Sequence, residues 1–153
     1  MLWGVYAVVW LTDISRREYK ILFVYADKSE KTAIMFEPLR MSDEPDRDPQ
    51  WEDWNCYHSP LMIPFSDFER LLHHKYFDRI YPTCDAFDGT PEECFDVCFH
   101  NWIGEKDWRI IISSVRADFE SFAEAEKTFY SDFVEWIEEA LKHTGIIVAA
   151  GNI

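Results

Sequence analysis

Thiols and imidazoles are the side chains of this sequence best suited to metal or redox chemistry, and their spacing decides how much of it they can do. Cys84, Cys94, Cys98 and His100 carry good zinc-ligating atoms. Read as a strand, "CFDVCFHNWI" (94–103) puts Cys94 and Cys98 on one face but about 13 Å apart, at roughly 3.3 Å per residue. That is too far for one tetrahedral ion or for a disulfide. The spacing predicts small buried hydrophobes in a sheet and one hydrogen-bonded histidine. His73 and His74 occupy adjacent positions of a predicted helix, about 100° apart. They are expected at the surface without converging on a ligand, since no His-Glu-x-x-His pattern surrounds them. No metal and no cofactor is expected.

Nucleophilic and phosphate chemistry is equally unsupported. No serine sits in a Gly-x-Ser-x-Gly turn, and the five glycines form no phosphate-cradling loop. The carboxylate pairs Asp43/Glu44, Glu52/Asp53 and Glu92/Glu93 lack calcium-loop spacing, so they read as exposed negative surface rather than acid and base. One stretch goes beyond solubility. "SDEPDRDPQWEDWNCYH" (42–58) interleaves Trp51, Trp54 and Tyr57 with Asp43, Glu44, Asp46, Asp48, Glu52 and Asp53. Aromatic anchors flanked by charge are what protein interfaces concentrate, although the same rings fit a lid folded back on the sheet. A second acidic turn region, "CDAFDGTPEE", adds Asp85, Asp88, Glu92 and Glu93.

These two stretches stand out within a chain that is acidic overall. Its 29 Asp and Glu against 15 Lys and Arg give a net charge of -14. Such a field repels phosphate backbones and anionic headgroups, which argues against nucleic-acid or membrane binding and in favour of a basic protein partner. With 48% hydrophobic residues among 153, the chain is too apolar for disorder and long enough for one domain, 1–153. The opening "MLWGVYAVVWLTD" lacks a basic n-region, and its apolar run is too short to span a bilayer. A cytoplasmic location is expected, where the cysteines stay reduced.

The elements that must position these residues follow from periodicity. Residues 2–12 and 19–26 read as a hairpin, and "TAIMFE" (32–37) as a third strand. Between Pro38 and Pro60 periodicity vanishes. "SDFERLLHHKYF" (66–77) reads as a short helix capped by Ser66 with Glu69 three residues on. "CFDVCFHNWI" and "WRIIISSV" (108–115) read as strands joined by the turn "GEKD". Residues 117–142 read as a long helix with an aromatic stripe, stopped by Gly145, and "IIVAAGNI" as a buried last strand. If that strand lies parallel to 108–115, the unit is a right-handed crossover. The fold class is therefore α+β: a largely antiparallel sheet of five to six strands, packed by a long C-terminal helix and a shorter middle one.

Residues 107–153, "DWRIIISSVRADFESFAEAEKTFYSDFVEWIEEALKHTGIIVAAGNI", resemble the small acidic immunity proteins of bacterial contact-dependent growth inhibition and polymorphic toxin systems. The match rests on the "F..FY.DF..WI..AL" helix and the short strand ending in Gly-Asn. The resemblance implies a cytosolic, non-enzymatic inhibitor of a cognate toxin C-terminal domain, many of which are basic nucleases. The resemblance does not fix which residues touch the toxin; from the acidic and aromatic stretches above, the expected toxin-binding surface is the twelve-residue set Asp43, Glu44, Asp46, Asp48, Trp51, Glu52, Asp53, Trp54, Asp85, Asp88, Glu92 and Glu93. Two other readings stay open: an acidic regulator that mimics DNA, and a small enzyme with a carboxylate site.

Overall fold

Apolar residues at two-residue spacing build the sheet in a computed structural model of the chain, which describes residues 19–38, 60–78, 94–98 and 100–152. Five strands occur among these: β1 (Lys20–Ile21), β2 (Ala33–Pro38), β3 (Leu61–Pro64), β4 (His100–Gly104) and β5 (Ile146–Gly151). They lie in the order β1-β3-β2-β5-β4. Only β1 and β3 run parallel; the other neighbours are antiparallel. Helix α1 begins as an α-helical turn, Phe65–Phe68, and runs on as a π-helix, Glu69–Phe77. Helix α2 spans Glu105–Asp118 and α3 spans Glu124–Leu141. The α+β class, the antiparallel sheet, the long C-terminal helix and the shorter middle helix all match the sequence reading.

Alternation sorts the strands into two faces. Ile34 and Phe36 of β2, Leu61 and Ile63 of β3, Ile103 of β4, and Ile147 and Ala149 of β5 join one core with the helices. The Phe36 ring sits at its centre, with the Phe133 and Trp108 rings edge-on at 5.8 and 5.9 Å. Edge-to-face contacts of this kind stabilise beyond their area burial. Trp108 is fully buried and satisfies its indole N–H on the Ile147 carbonyl. The opposite sheet face is also apolar, with Ala33, Met35 and Met62 in one cluster and Val148, Trp102 and Ile146 in another. Sheets buried on both faces carry such near-continuous apolar runs.

Buried polar groups lock the connections. Asp67, 1% exposed, accepts the backbone N–H groups of Val24 (2.7 Å), Tyr25 and Ala26, fixing the chain after β1 against α1. Asn101 donates to the Asp96 and Ala149 carbonyls and accepts from the Asp96 N–H, tying the 94–98 turn to the sheet. Asn152 accepts the Ala33 N–H and donates to the Lys31 carbonyl, prolonging the ladder at the start of β2 with a side chain.

Several expectations are corrected. "WRIIISSV" is helix α2, not a strand, and "GEKD" starts that helix instead of turning a hairpin. Trp108, Ile111, Ile112 and Val115 are its buried residues, an i, i+3, i+4, i+7 stripe that overrides the β preference of isoleucine. No crossover forms: β5 pairs antiparallel with β2 and β4. The helix predicted over 117–142 is broken by a 3-10 turn, Phe119–Ser121, and an extended Phe122, so α3 starts at Glu124. It ends at Leu141, where the Lys142, His143 and Thr144 N–H groups close on the Glu139 and Ala140 carbonyls, four residues before Gly145. Strand 94–103 is regular only from His100, and "LMIP" is a strand that the flanking prolines concealed. Of 19–26 only Lys20–Ile21 pairs, parallel to β3. Ser66 does not cap α1: Pro64 holds the N-cap, and the Ser66 N–H and hydroxyl both donate to Glu30, at 2.9 and 2.6 Å. The predicted strand 2–12 lies outside the described residues. No described helix is long and apolar enough to cross a membrane.

Candidate functional site

All twelve residues of the predicted binding surface, from Asp43 to Trp54 and from Asp85 to Glu93, lie outside the described residues. The acidic character continues inside them. Between Glu105 and Lys142 the chain carries ten carboxylates against five cations, and these residues make up the helical layer of α2 and α3. Amphipathic spacing turns Phe129, Phe133, Trp136, Ile137 and Leu141 of α3 inward and leaves Glu124, Glu135 and Glu139 exposed.

Four of the five cations are held by carboxylates of the same layer. Arg109 meets Glu105 at 3.4 Å and Glu138 at 4.0 Å, and Arg116 bonds Glu138. Lys127 reaches Glu124 at 3.1 Å and Lys142 reaches Glu139 at 2.7 Å. The Arg116 hydrogen bond holds the Glu138 carboxyl below the usual carboxylate range, and the Glu139 bond lifts the Lys142 ammonium above its own. Asp132 and Glu135 have no paired cation among the described residues. Exposed pairs of this kind add little stability; their effect is to cancel positive charge locally and leave the outward field negative.

Beside these acids a groove opens between the end of α2 and the middle of α3. Val115, Phe119, Tyr130 and Val134 line it with apolar surface, while Arg116, Glu135 and Glu138 supply its charge. The 3-10 turn that separates the helices creates it by swinging Phe119 and Phe122 toward Tyr130. Phe122 stacks on the Tyr130 ring at 3.7 Å, and the Tyr130 hydroxyl donates to the Leu71 carbonyl. Burial holds the Tyr130 phenol protonated well above its ordinary range. The arrangement can bind a cationic, partly apolar surface. The sequence, read as one helix over 117–142, did not foresee the groove, because no glycine or proline marks the break at 119–123.

On α1 the structure corrects the expectation that His73 and His74 diverge. Their rings stack 4.2 Å apart, and both address Glu69: His73 Nδ1 lies 2.6 Å from Oε2 and His74 Nε2 lies 3.3 Å from Oε1. His74 Nδ1 also bonds Asp78 at 3.0 Å, which raises the imidazole above its ordinary pKa. Phe95, from the 94–98 turn, sets its ring edge-on to His73 at 5.5 Å. The thiols of that turn, Cys94 and Cys98, are free and exposed, not the buried sheet residues expected, because the chain there is a turn. Neither the family models, nor the curated proteins, nor the solved structures compared with this chain match it, so its own geometry carries the functional reading.

Proposed function

We propose that this chain is an immunity-type inhibitor that binds a cognate basic toxin domain through its acidic surface and has no catalytic activity of its own. The observation that supports this most directly is the charge arrangement of the helical layer. Four of its five cations are paired internally, while Glu135, which lines a partly apolar groove, and Asp132 on the same helix have no paired cation among the described residues. Lysines or arginines of a partner would pair with those carboxylates while an apolar side chain packs on the part-exposed Phe119 ring. Complementary fields of this kind raise association rates and disfavour acidic competitors. The acidic, tryptophan-bearing segment 42–58 extends the same chemistry, and a nuclease with a basic cleft is the toxin type that suits it.

The test is genomic and then biochemical: the gene immediately upstream is expected to encode a large secreted protein with a toxic C-terminal domain, and that domain should co-purify with this chain, after which stopped-flow follows their association. Reversing Asp132 and Glu135 to lysine, alone and together with Asp46, Asp48 and Asp53, should slow association at low salt by about tenfold or more. The difference should shrink at 1 M salt, where screening acts within about 3 Å. Equal rates for reversed and native chains at low salt would remove the electrostatic mechanism. Failure to bind that domain would remove the immunity reading itself.

A further inference from the structure

The π-helical stretch of α1 is nine residues long, Glu69–Phe77. In an α-helix residue i+5 points about 140° away from residue i, so Glu69 and His74 would face apart. Hydrogen bonding from i to i+5 widens the turn and brings i+5 back beneath i. His73, at i+4, shares that face. Such turns are rare and concentrate at functional sites. Here the result is that one ligand atom from each of Glu69, His73 and His74 lies within 4.8 Å of the others.

From this geometry we propose that Glu69, His73 and His74 bind one zinc-class transition-metal ion, through the Glu69 carboxylate, His73 Nδ1 and His74 Nε2. Tetrahedral zinc, with bonds of about 2.0–2.1 Å to nitrogen and oxygen, sets its ligand atoms about 3.3–3.4 Å apart. The His74–Glu69 separation of 3.3 Å already matches, and the 2.6 Å His73–Glu69 contact opens by under about 1 Å when the ion replaces the shared proton. His74, with 66% of its side chain exposed, has room to tilt out of the stack and aim its lone pair. The outer partners favour the same assignment. Metal-bound histidine characteristically donates its other N–H to a carboxylate, and Asp78 stands 3.0 Å from His74 Nδ1. The His73 ring is held between Phe68, stacked at 5.5 Å, and the edge of Phe95. Two imidazoles select Zn, Cu or Ni over Mg or Ca. Three protein ligands leave the fourth position to water.

Zinc titration of the full chain against a chromophoric chelator tests this, with Co²⁺ substitution reporting ligand type. The chain's four thiols, Cys56, Cys84, Cys94 and Cys98, are the rival ligands, so the titration is repeated in a chain with all four replaced by serine. One ion per chain is expected in both, with no thiolate-to-cobalt charge-transfer band. His74→Ala and Glu69→Gln should each weaken binding by more than the about 10–100-fold expected for loss of the outer partner in Asp78→Asn. The metal-free melting temperature of His74→Ala and Asp78→Asn should stay unchanged, because both side chains are exposed. Absence of one-to-one binding, survival of full affinity in His74→Ala or Glu69→Gln, loss in the serine chain, or a thiolate band would each overturn the site.

Discussion

Replacing Asp67 by alanine probes the contact that joins the sheet edge to α1. Its carboxylate, 1% exposed, is the acceptor for three consecutive backbone donors, those of Val24, Tyr25 and Ala26, at 2.7 to 3.1 Å. A hydrogen bond to a charged acceptor contributes about 1.5–3 kcal/mol, so simple addition gives about 4.5–9 kcal/mol. Water recovers part of that. Tyr25 is 45% exposed and its amide can be rehydrated once the carboxylate is gone. The expected net loss is about 3–4 kcal/mol, a large share of the about 5–15 kcal/mol typical of a folded domain. Asp67→Asn keeps one acceptor oxygen and should lose about half as much. Urea unfolding should show the midpoint falling in the order native, Asn, Ala at constant m-value. Melting should drop by about 10 °C in the alanine variant, at about 2–4 °C per kcal/mol for a chain of this size. Amide exchange should accelerate at Val24–Ala26 before it does in β2. Equal stabilities for the two variants, with a loss below about 1 kcal/mol, would show that the carboxylate is not what holds this segment.

Two further outcomes follow from the core. Trp108→Ala removes the largest fully buried side chain and its indole hydrogen bond to the Ile147 carbonyl, so it should cost about 3–5 kcal/mol and flatten the near-ultraviolet dichroism. Burial, aided for Tyr76 by its bond to Asp118, raises both the Tyr76 and Tyr130 phenols. Their stabilising contribution is complete below the ordinary phenol pKa of about 10 and is lost as pH rises beyond it, because the unfolded chain ionises first. Tyrosinate absorbance should therefore appear in two stages, with the late stage coinciding with unfolding; a single stage near the ordinary value would contradict the buried placement.

Much of the fold is legible in the residues. β2, α1, most of α3 and β5 follow from two-residue or helical spacing, and the class follows from them. The misreading of 108–115 is instructive, because Ile110, Ile111 and Ile112 suggest a strand by type while Trp108, Ile111, Ile112 and Val115 demand a helix by spacing. Exposure settles the contest: Ile110 is 37% exposed and the other four are buried. Gly104 before Glu105 and Asp107 was a usable start signal, since acids favour a first helical turn. The break at 119–123 carries no glycine or proline, and only the acids Glu124 and Glu126 announce the new helix. The histidine site was misjudged for a different reason. The assumed turn angle was that of an α-helix, and nothing in the local sequence signals the wider one. The acidic, aromatic 42–58 loop remains a reading of the sequence, joined now by a groove that the sequence did not reveal.

The position of β5 has a consequence for how the chain is made. It is the last described strand in the sequence, yet it lies between β2 and β4, and β4 has no other strand beside it among the described residues. While a ribosome is still translating residues 100–141, the β2–β3 half and the β4 strand exist without the piece that joins them. The nascent protein must therefore carry open strand edges and an uncovered Phe36–Trp108–Phe133 cluster until residues 146–151 have left the exit tunnel. Such edges invite pairing with other chains. Chaperone dependence during synthesis should accordingly peak late and end abruptly, as the sheet closes around its central strand.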